Sequence, residues 1–239
     1  MAEGLPEVTV YAGPMGAGKT SELYKIMGAL RIRRRPYAAY IPKHDVRERI
    51  ILPKNYQVTT PVAGEPNCSS VESLNDIPAA ELSLQGITTI VLEEFHMFGY
   101  RLDRVPLHGL YLATMRRWAE SGIQEVYASG LDLAASGNQF ELFQDAHRYG
   151  ADIKLLTANC EYPVNGDDAE TCGATARNSQ IYQVKDGKTL RMESLPDLLP
   201  EGLRLDIGYR AVCKDHLFLP DERTMSFDAE ASQLIASEA

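Results

Sequence analysis

The chain is poor in cysteine, in tryptophan and in positive charge, and it has no long apolar run. Its 239 residues include four cysteines and one tryptophan, and 33 acidic against 24 basic residues give a formal net charge of −9. No run approaches the roughly 18 apolar residues that span a bilayer, and the first residues do not resemble a secretory signal. We therefore expect a cytoplasmic protein with no membrane partner. We expect no nucleic-acid polymer as the main ligand either, because phosphate backbones recruit Lys and Arg.

Hydrophobic residues make up 44% of the chain, which is enough for a packed core. Strand-like runs are predicted at 8–12, 37–41, 87–92, 125–131 and 153–156, and helix-like spacing at 21–30 and 107–121. This alternation predicts an α/β core with a parallel sheet flanked by helices. Because ligands of such sheets bind beyond the carboxyl ends of the strands, the loops after residues 12, 41, 92 and 131 are expected to line the site.

Residues 160–216 differ in character from the rest, since they are rich in loops and contain three of the four cysteines. We interpret them as a second, smaller unit. The predicted organisation is a nucleotide-binding core at 1–158, a small cysteine-containing unit at 159–218 and an acidic C-terminal tail at 219–239.

The most specific motif is a phosphate-binding loop. Residues 13–20 read Gly-Pro-Met-Gly-Ala-Gly-Lys-Thr, a complete G-x-x-x-x-G-K-[ST] pattern between a predicted strand and a predicted helix. The backbone N–H groups of such a loop cradle phosphates. Lys19 is expected to reach the β and γ phosphates of ATP, and Thr20 to place its hydroxyl on Mg²⁺. The alternative is a glycine-rich turn that only caps a helix. The glycines of the motif are Gly13, Gly16 and Gly18.

Charged residues follow two of the predicted strands. Glu93 and Glu94 come directly after the run 87–92, where one carboxylate can hold Mg²⁺ and the next can accept a proton from an attacking hydroxyl. Asp45 and Arg47 follow the second strand, where Arg47 could neutralise phosphate charge and Asp45 could orient it. The alternatives are an acidic pair on the surface and an ion pair in an exposed loop.

The third group consists of Cys160, Cys172, Cys213 and His216. Three thiolates and an imidazole are the ligand set of a tetrahedral structural zinc site, and metal binding would supply folding energy to a small unit. The eleven residues between Cys160 and Cys172 exceed the usual spacing of two to four, so buried thiols without metal are the alternative. Cys68 stands apart, and we assign it no role.

In this order, the motifs resemble those of the type II thymidine kinases, a family of tetrameric, zinc-containing deoxynucleoside kinases. The resemblance covers about residues 8–218. The matching segments are Gly13-Pro14-Met15 with Lys19-Thr20, Asp45-Val46-Arg47, Glu93 to Phe98, Gly130-Leu131-Asp132 with Gly137 and Phe140-Glu141, Leu156 to Cys160, and Cys172-Gly173 with Tyr209 and Cys213-x-x-His216.

The resemblance implies ATP-dependent phosphorylation of a deoxynucleoside 5′-hydroxyl, with thymidine, deoxyuridine or a 5-substituted analogue as substrate. It implies Mg²⁺, a structural Zn²⁺ in a small lasso domain, and a homotetramer. By the same resemblance, Glu94 is the catalytic base, Glu93 takes the position of the magnesium-associated acid, and Lys19, Thr20 and Arg47 contact phosphate or magnesium. The residues that it places around the nucleoside are Met15, His96, Leu131, Phe140, Ser179 and Tyr209.

The chain departs from the family pattern mostly around the nucleoside. Glu93 stands where the family has Asp, His96 replaces a Gln, and Ser179-Gln180-Ile181 replaces Thr-x-Arg. Ser179 is smaller than threonine by a methyl group and would leave room beside the 5-position of the base. A protein that binds nucleotides without catalysis, for example a regulatory one, is the alternative from a different functional class.

Overall fold

The computed structural model describes residues 4–43, 68–99, 109–134, 137–164, 167–185, 188–191 and 207–217. Asp45 and Arg47 lie outside the described residues, and so does the acidic tail predicted from 219. Among the described residues, no helix combines the length and the apolar character that crossing a membrane requires.

In the described part of the chain, one parallel sheet of six strands forms the main structure. The strands are β1 (Glu7–Ala12), β2 (Tyr37–Pro42), β3 (Cys68–Val71), β4 (Thr89–Leu92), β5 (Glu125–Gly130) and β6 (Asp152–Leu155). Their order across the sheet is β3-β2-β4-β5-β1-β6, and each neighbouring pair is parallel. The accompanying helices are α1 (Lys19–Ile32), α2 (Ala79–Leu84), α3 (Leu110–Glu120) and α4 (Glu141–Arg148). The predicted fold class, a parallel sheet flanked by helices, is confirmed.

Two apolar clusters cover the two faces of this sheet. Alternate strand residues point to opposite faces, so Ile90 and Leu92 of β4 join the larger cluster while Val91 joins the smaller one. The larger cluster contains the buried faces of α2, α3 and α4. In the smaller cluster, helix α1 contributes Leu23, Met27 and Leu30, which follow helical spacing. The helix that follows the phosphate-binding loop is therefore held against the sheet along its apolar side.

The segment after β4 is anchored by aromatic packing. Phe95 is completely buried, and its ring makes edge-to-face contacts with Phe143 and Tyr111 at centroid distances of 5.4 and 6.4 Å. Such pairs stabilise by about 0.5–1.5 kcal/mol beyond the area they bury. Because Phe95 follows Glu94 directly, this packing restrains the backbone that carries the acidic pair.

Three elements of the core were not expected from the sequence: β3, α2 and α4. Strand β3 is a short edge strand in which Cys68 pairs with Ala39 of β2, so Cys68 belongs to the main sheet. Its four residues, Cys-Ser-Ser-Val, form no apolar run, which is why periodicity did not reveal it.

Within the described part of residues 158–212, three small antiparallel sheets follow the core. Strand β7 (Ala158–Asn159) pairs with β10 (Thr175–Ala176), β8 (Pro163–Val164) pairs with β9 (Asp167–Thr171), and β11 (Asn178–Lys185) lies between β12 (Lys188–Arg191) and β13 (Ile207–Val212). The boundary predicted between residues 158 and 159 falls inside β7.

Candidate functional site

The phosphate-binding loop connects the carboxyl end of β1 to the start of α1. Gly18 adopts the left-handed conformation (φ 79°) immediately before the helix begins at Lys19. Gly13 has a φ of 152°, and a Cβ atom built on it would lie 2.5 Å from the Leu156 carbonyl oxygen. Leu156 in turn donates its N–H to the Ala12 carbonyl at 2.7 Å. The first glycine of the motif is therefore required by a backbone contact with the chain after β6.

Lys19 folds back over this loop. Its Nζ atom donates to the Pro14 carbonyl oxygen at 2.6 Å, and the residue is only 8% exposed. Anions and further hydrogen-bond acceptors stabilise a buried ammonium group. The loop therefore combines a buried positive charge with the amino end of a helix, where the backbone also favours negative charge.

Thr20 and Glu93 join the phosphate-binding loop to the end of β4. The Thr20 hydroxyl donates to Glu93 Oε1 at 2.8 Å, and Glu93 is completely buried. The Glu93 N–H also donates to the Tyr40 carbonyl, which continues the pairing of β4 with β2 by one residue. Strand β5 lies between β1 and β4, yet these side chains meet. A hydroxyl and a carboxylate are oxygen ligands of the kind Mg²⁺ prefers, so this pair fits a magnesium ion.

Glu94 has a backbone conformation that non-glycine residues seldom adopt. Its φ is 53°, and its carbonyl accepts the Met97 N–H at 2.9 Å as the chain enters a short 3₁₀ helix, Phe95–Gly99. Holding a residue in the left-handed region costs on the order of 1–3 kcal/mol, and such residues concentrate at functional sites. The Glu94 side chain is 13% exposed, so solvent can still reach the carboxylate.

His96 connects the acidic pair to the end of β5. Its Nδ1 atom accepts the Leu131 N–H at 3.3 Å, and its ring packs against Phe140 with a centroid distance of 4.7 Å. Glu94 Oε2 lies 3.6 Å from the same Nδ1 atom. The structure thus brings together three residues that the resemblance places around the nucleoside: His96, Leu131 and Phe140.

Ser179 and Met15 also meet, although 164 positions separate them in the chain. The Met15 N–H donates to Ser179 Oγ at 3.0 Å, and Ser179 is 2% exposed. Ser179 pairs with Ala211 in the β11–β13 ladder, and Tyr209 pairs with Ile181 two positions further along. The first residues of β11 therefore touch the phosphate-binding loop directly. The nucleoside-binding roles of Met15, Ser179 and Tyr209 stay predictions.

The four predicted metal ligands form one cluster. The ligand atoms of Cys160, Cys172, Cys213 and His216 all lie within 4.8 Å of one another. His216 Nδ1 is 3.5 Å from Cys160 Sγ and 3.4 Å from Cys213 Sγ. Tetrahedral coordination with Zn–S of about 2.3 Å and Zn–N of about 2.0 Å would separate ligand atoms by about 3.5–3.8 Å. The cluster is therefore compact enough to hold a zinc ion.

A hairpin explains the long spacing between the first two cysteines. Strands β8 and β9 lie between Cys160 and Cys172, and the chain returns so that the Cys172 N–H donates to the Tyr162 carbonyl. Gly173 then donates its N–H to the Cys160 carbonyl at 2.9 Å, in the left-handed conformation with φ 68°. The eleven residues between the two cysteines therefore do not separate their thiols, because they form a hairpin whose two ends lie side by side.

Burial and hydrogen bonding act differently on the two buried thiols of the cluster. Burial raises the pKa of the Cys160 thiol above its ordinary value. At Cys213 burial also acts to raise the pKa, but hydrogen bonds from the Asp215 backbone and from the Cys160 thiol outweigh it, and the pKa is lowered. The ring of His216 stacks on Tyr162 with a centroid distance of 4.1 Å, which holds the imidazole in place.

One residue of the site was missed by the sequence reasoning: Arg177. Its Nη1 atom donates to the Leu156 carbonyl at 2.8 Å, and its Nη2 atom lies 3.1 Å from Oδ2 of the buried Asp132. A signal was present, because Arg177 is the only charged residue between Cys172 and Gln180. Spacing could not show which groups it contacts.

The sheet, the phosphate-binding loop and the Thr20–Glu93 contact define a fold of the P-loop NTPase class with an added Cys₃His cluster. No family model matches the chain. A thymidine kinase of Thermococcus kodakarensis is 29% identical over 220 residues, which cover 89% of this chain and 94% of that protein. Thymidine kinases from two strains of Chloroflexus aurantiacus are 26% identical over 207 residues, or 87% of this chain and 92% of theirs.

These three relatives support the assignment of the chain to the thymidine kinase family, and the similarity expected from the motifs is confirmed. Among solved structures, a KaiC-like protein of Pyrococcus horikoshii superposes on 79% of this chain and 90% of its own length. Its TM-score of 0.41 and identity of 9% are too low to define the fold, which rests on the strand order.

Proposed function

We propose that the protein is a kinase that transfers the γ-phosphoryl group of ATP to the 5′-hydroxyl of a deoxynucleoside. The observation that carries the proposal is the 2.8 Å hydrogen bond from Thr20 to Glu93, which joins the phosphate-binding loop to an acidic pair. A loop that only capped a helix would not need a buried carboxylate at this position. The thymidine kinases among the relatives support a nucleoside as the class of acceptor.

Each residue has a proposed part in the transfer. The loop amides and Lys19 hold the phosphates, and the carboxylate of Glu94 takes the proton of the attacking hydroxyl as the new O–P bond forms and ADP leaves. Catalysis of this kind depends mostly on positioning and on neutralising charge. Arg47 and Asp45 keep their proposed roles in charge neutralisation, although they lie outside the described residues.

Two metals complete the proposal. Thr20 and Glu93 would hold Mg²⁺, which would neutralise charge on the ATP phosphates when bound. The Cys₃His cluster would hold a structural Zn²⁺, which would stabilise the fold of the small unit.

The proposed substrate is thymidine, deoxyuridine or a 5-substituted analogue. Leu131 and Phe140, which both contact His96, would form one side of the base pocket together with it. A homotetramer in the cytoplasm is proposed by resemblance to the family.

The test is a radiolabelled ATP assay across a panel of deoxynucleosides with the wild type and Glu94→Gln. Because an amide cannot accept the hydroxyl proton, we expect turnover to fall by about 10²–10⁴-fold, the usual contribution of a general base. Binding of an ATP analogue should stay close to that of the wild type. Glu120→Gln is the matched control, since Glu120 is exposed at the end of α3. The chain continues from there to the amino end of β5, which lies at the edge of the sheet opposite the phosphate-binding loop.

Full activity in Glu94→Gln would show that Glu94 is not the base. ATP-analogue binding without phosphorylation of any nucleoside by the wild type would favour the non-catalytic alternative.

A further inference from the structure

We propose that Arg177 is a positioning residue for the phosphate-binding loop. It ties the small cysteine-containing unit to the core, and it thereby makes the conformation of the loop depend on that unit. The inference concerns the loop itself and holds for any phosphate ligand; only its consequence for ATP affinity rests on the proposed function.

The two acceptors of Arg177 lie at the carboxyl ends of two strands of the main sheet. Leu156 follows β6 directly, and Asp132 comes two residues after β5 ends at Gly130. Strands β5 and β6 are the two neighbours of β1, and Ala12 pairs with Gly130 on one side and with Leu155 on the other. One guanidinium group therefore connects the two strand ends on either side of β1, at the point where the phosphate-binding loop begins.

Arg177 compensates the charge of a buried carboxylate, that of Asp132. The Asp132 side chain is 7% exposed, and a carboxylate buried to this degree requires compensation of its charge. Arg177 provides that charge with one nitrogen while another donates to the Leu156 carbonyl at 2.8 Å. The planar guanidinium can satisfy two acceptors at once, whereas a lysine ammonium acts as a flexible point charge.

Leu156, which Arg177 contacts, and Ser179, which follows it in β11, both touch the phosphate-binding loop. The Leu156 carbonyl packs against Gly13 so closely that a Cβ atom there would lie 2.5 Å away. Two residues after Arg177, the Ser179 hydroxyl accepts the Met15 N–H at 3.0 Å. A shift of Leu156 or of β11 would therefore change the surroundings of the first three residues of the loop.

The connection continues to the Cys₃His cluster. Ala176, the residue before Arg177, is completely buried in the same apolar cluster as Cys160 and Cys213. Ala176 also pairs with Ala158 in the β7–β10 ladder. Arg177 therefore directly follows a residue packed around the cysteines. Loss of order in that unit would displace the Arg177 backbone and weaken its contacts with Asp132 and Leu156.

The test measures amide hydrogen exchange in peptides that cover residues 13–20, in the full-length, metal-loaded protein without nucleotide. We expect Arg177→Ala to raise the exchange rate there by at least about fivefold, the lower end of typical coupling between sites. Arg177→Lys keeps a charge near Asp132 but cannot bridge both acceptors, so an intermediate rate is expected. Arg148→Ala is the control, because Arg148 pairs with Asp145 at the exposed end of α4 and should leave the rate unchanged.

A second measurement titrates each protein with the ATP analogue AMP-PNP and Mg²⁺, and Arg177→Ala should raise the Kd by at least about fivefold. Wild-type exchange in both Arg177 variants, with metal content unchanged, overturns the inference. If Arg177→Ala does not fold, Arg177→Lys decides alone, and a wild-type exchange rate in it is again refuting. A wild type that fails to bind AMP-PNP refutes the proposed function, while the exchange measurement still decides the role of Arg177.

Discussion

Alanine has no room at position 13 of this protein. The Cβ atom would lie 2.5 Å from the Leu156 carbonyl oxygen and 3.3 Å from the Ala17 side chain, and the backbone has a φ of 152° that favours glycine. Moving the Leu156 carbonyl away would cost free energy, because it accepts a hydrogen bond from Arg177 and the N–H of Leu156 itself donates to the Ala12 carbonyl. We therefore expect Gly13→Ala to destabilise the fold as well as the loop.

The size of the effect follows from two costs. Placing a non-glycine residue at an unfavourable φ costs on the order of 1–3 kcal/mol, and forcing an extra carbon into a packed site costs about 1–3 kcal/mol more. The free energy of unfolding should therefore fall by about 2–6 kcal/mol. Since each kcal/mol shifts the Tm of a chain of about this size by roughly 2–4 °C, the Tm should fall by about 4–24 °C.

The assay is thermal unfolding followed by circular dichroism, with Gly28→Ala as the matched control. Gly28 lies inside α1, and apart from the adjacent residues and the backbone of its own helix no atom lies within 4 Å of the place that an added Cβ would take. The same chemical change should therefore stabilise the protein by about 0.5–1 kcal/mol. A Gly13→Ala protein that melts within about 2 °C of the wild type, a shift worth less than about 1 kcal/mol, would refute the close contact with Leu156.

Two further predictions concern the metal cluster and a buried tyrosine. Metal analysis should find one zinc per chain in the wild type and little in Cys213→Ser, and a wild type without zinc would contradict this. Removing the metal with a chelator should raise amide exchange in residues 158–176 while the main sheet stays protected. Burial raises the pKa of Tyr111 above its ordinary value of 10.0. Above about pH 10 the unfolded chain loses this proton while the folded protein keeps it, so stability falls as pH rises. In urea unfolding at pH 8 and pH 11, Tyr111→Phe should therefore lose less stability than the wild type; equal losses would show that Tyr111 does not contribute.

Local sequence was sufficient for the elements with strong patterns. Strands β1, β2, β4, β5 and β6 and the helix after the phosphate-binding loop were expected because strand-like apolar runs and helical spacing indicate strands and helices. Strand β3 and helix α2 were missed, since four and six residues are too few to show a period.

The candidate site divides in the same way. Residues adjacent in the chain, such as those of the phosphate-binding loop or the pair Glu93 and Glu94, could be recognised because their motif is local. The four ligands of the Cys₃His cluster could be proposed from residue type, although only the hairpin of β8 and β9 shows how Cys160 and Cys172 meet.

The sequence by itself indicates which chemical groups are present and how they are spaced, and the tertiary structure decides which of them touch. The motif at 13–20, the acids after β4 and the metal-ligand set are properties of residue identity and spacing, so they were visible before the fold. The position of β5 between β1 and β4, the hydrogen bond between His96 and Leu131 and the bridge from Arg177 to Asp132 and Leu156 were not. These contacts join residues 35 or more positions apart, or 21 in the case of Leu156, and depend on strand order and close packing, which no local pattern encodes.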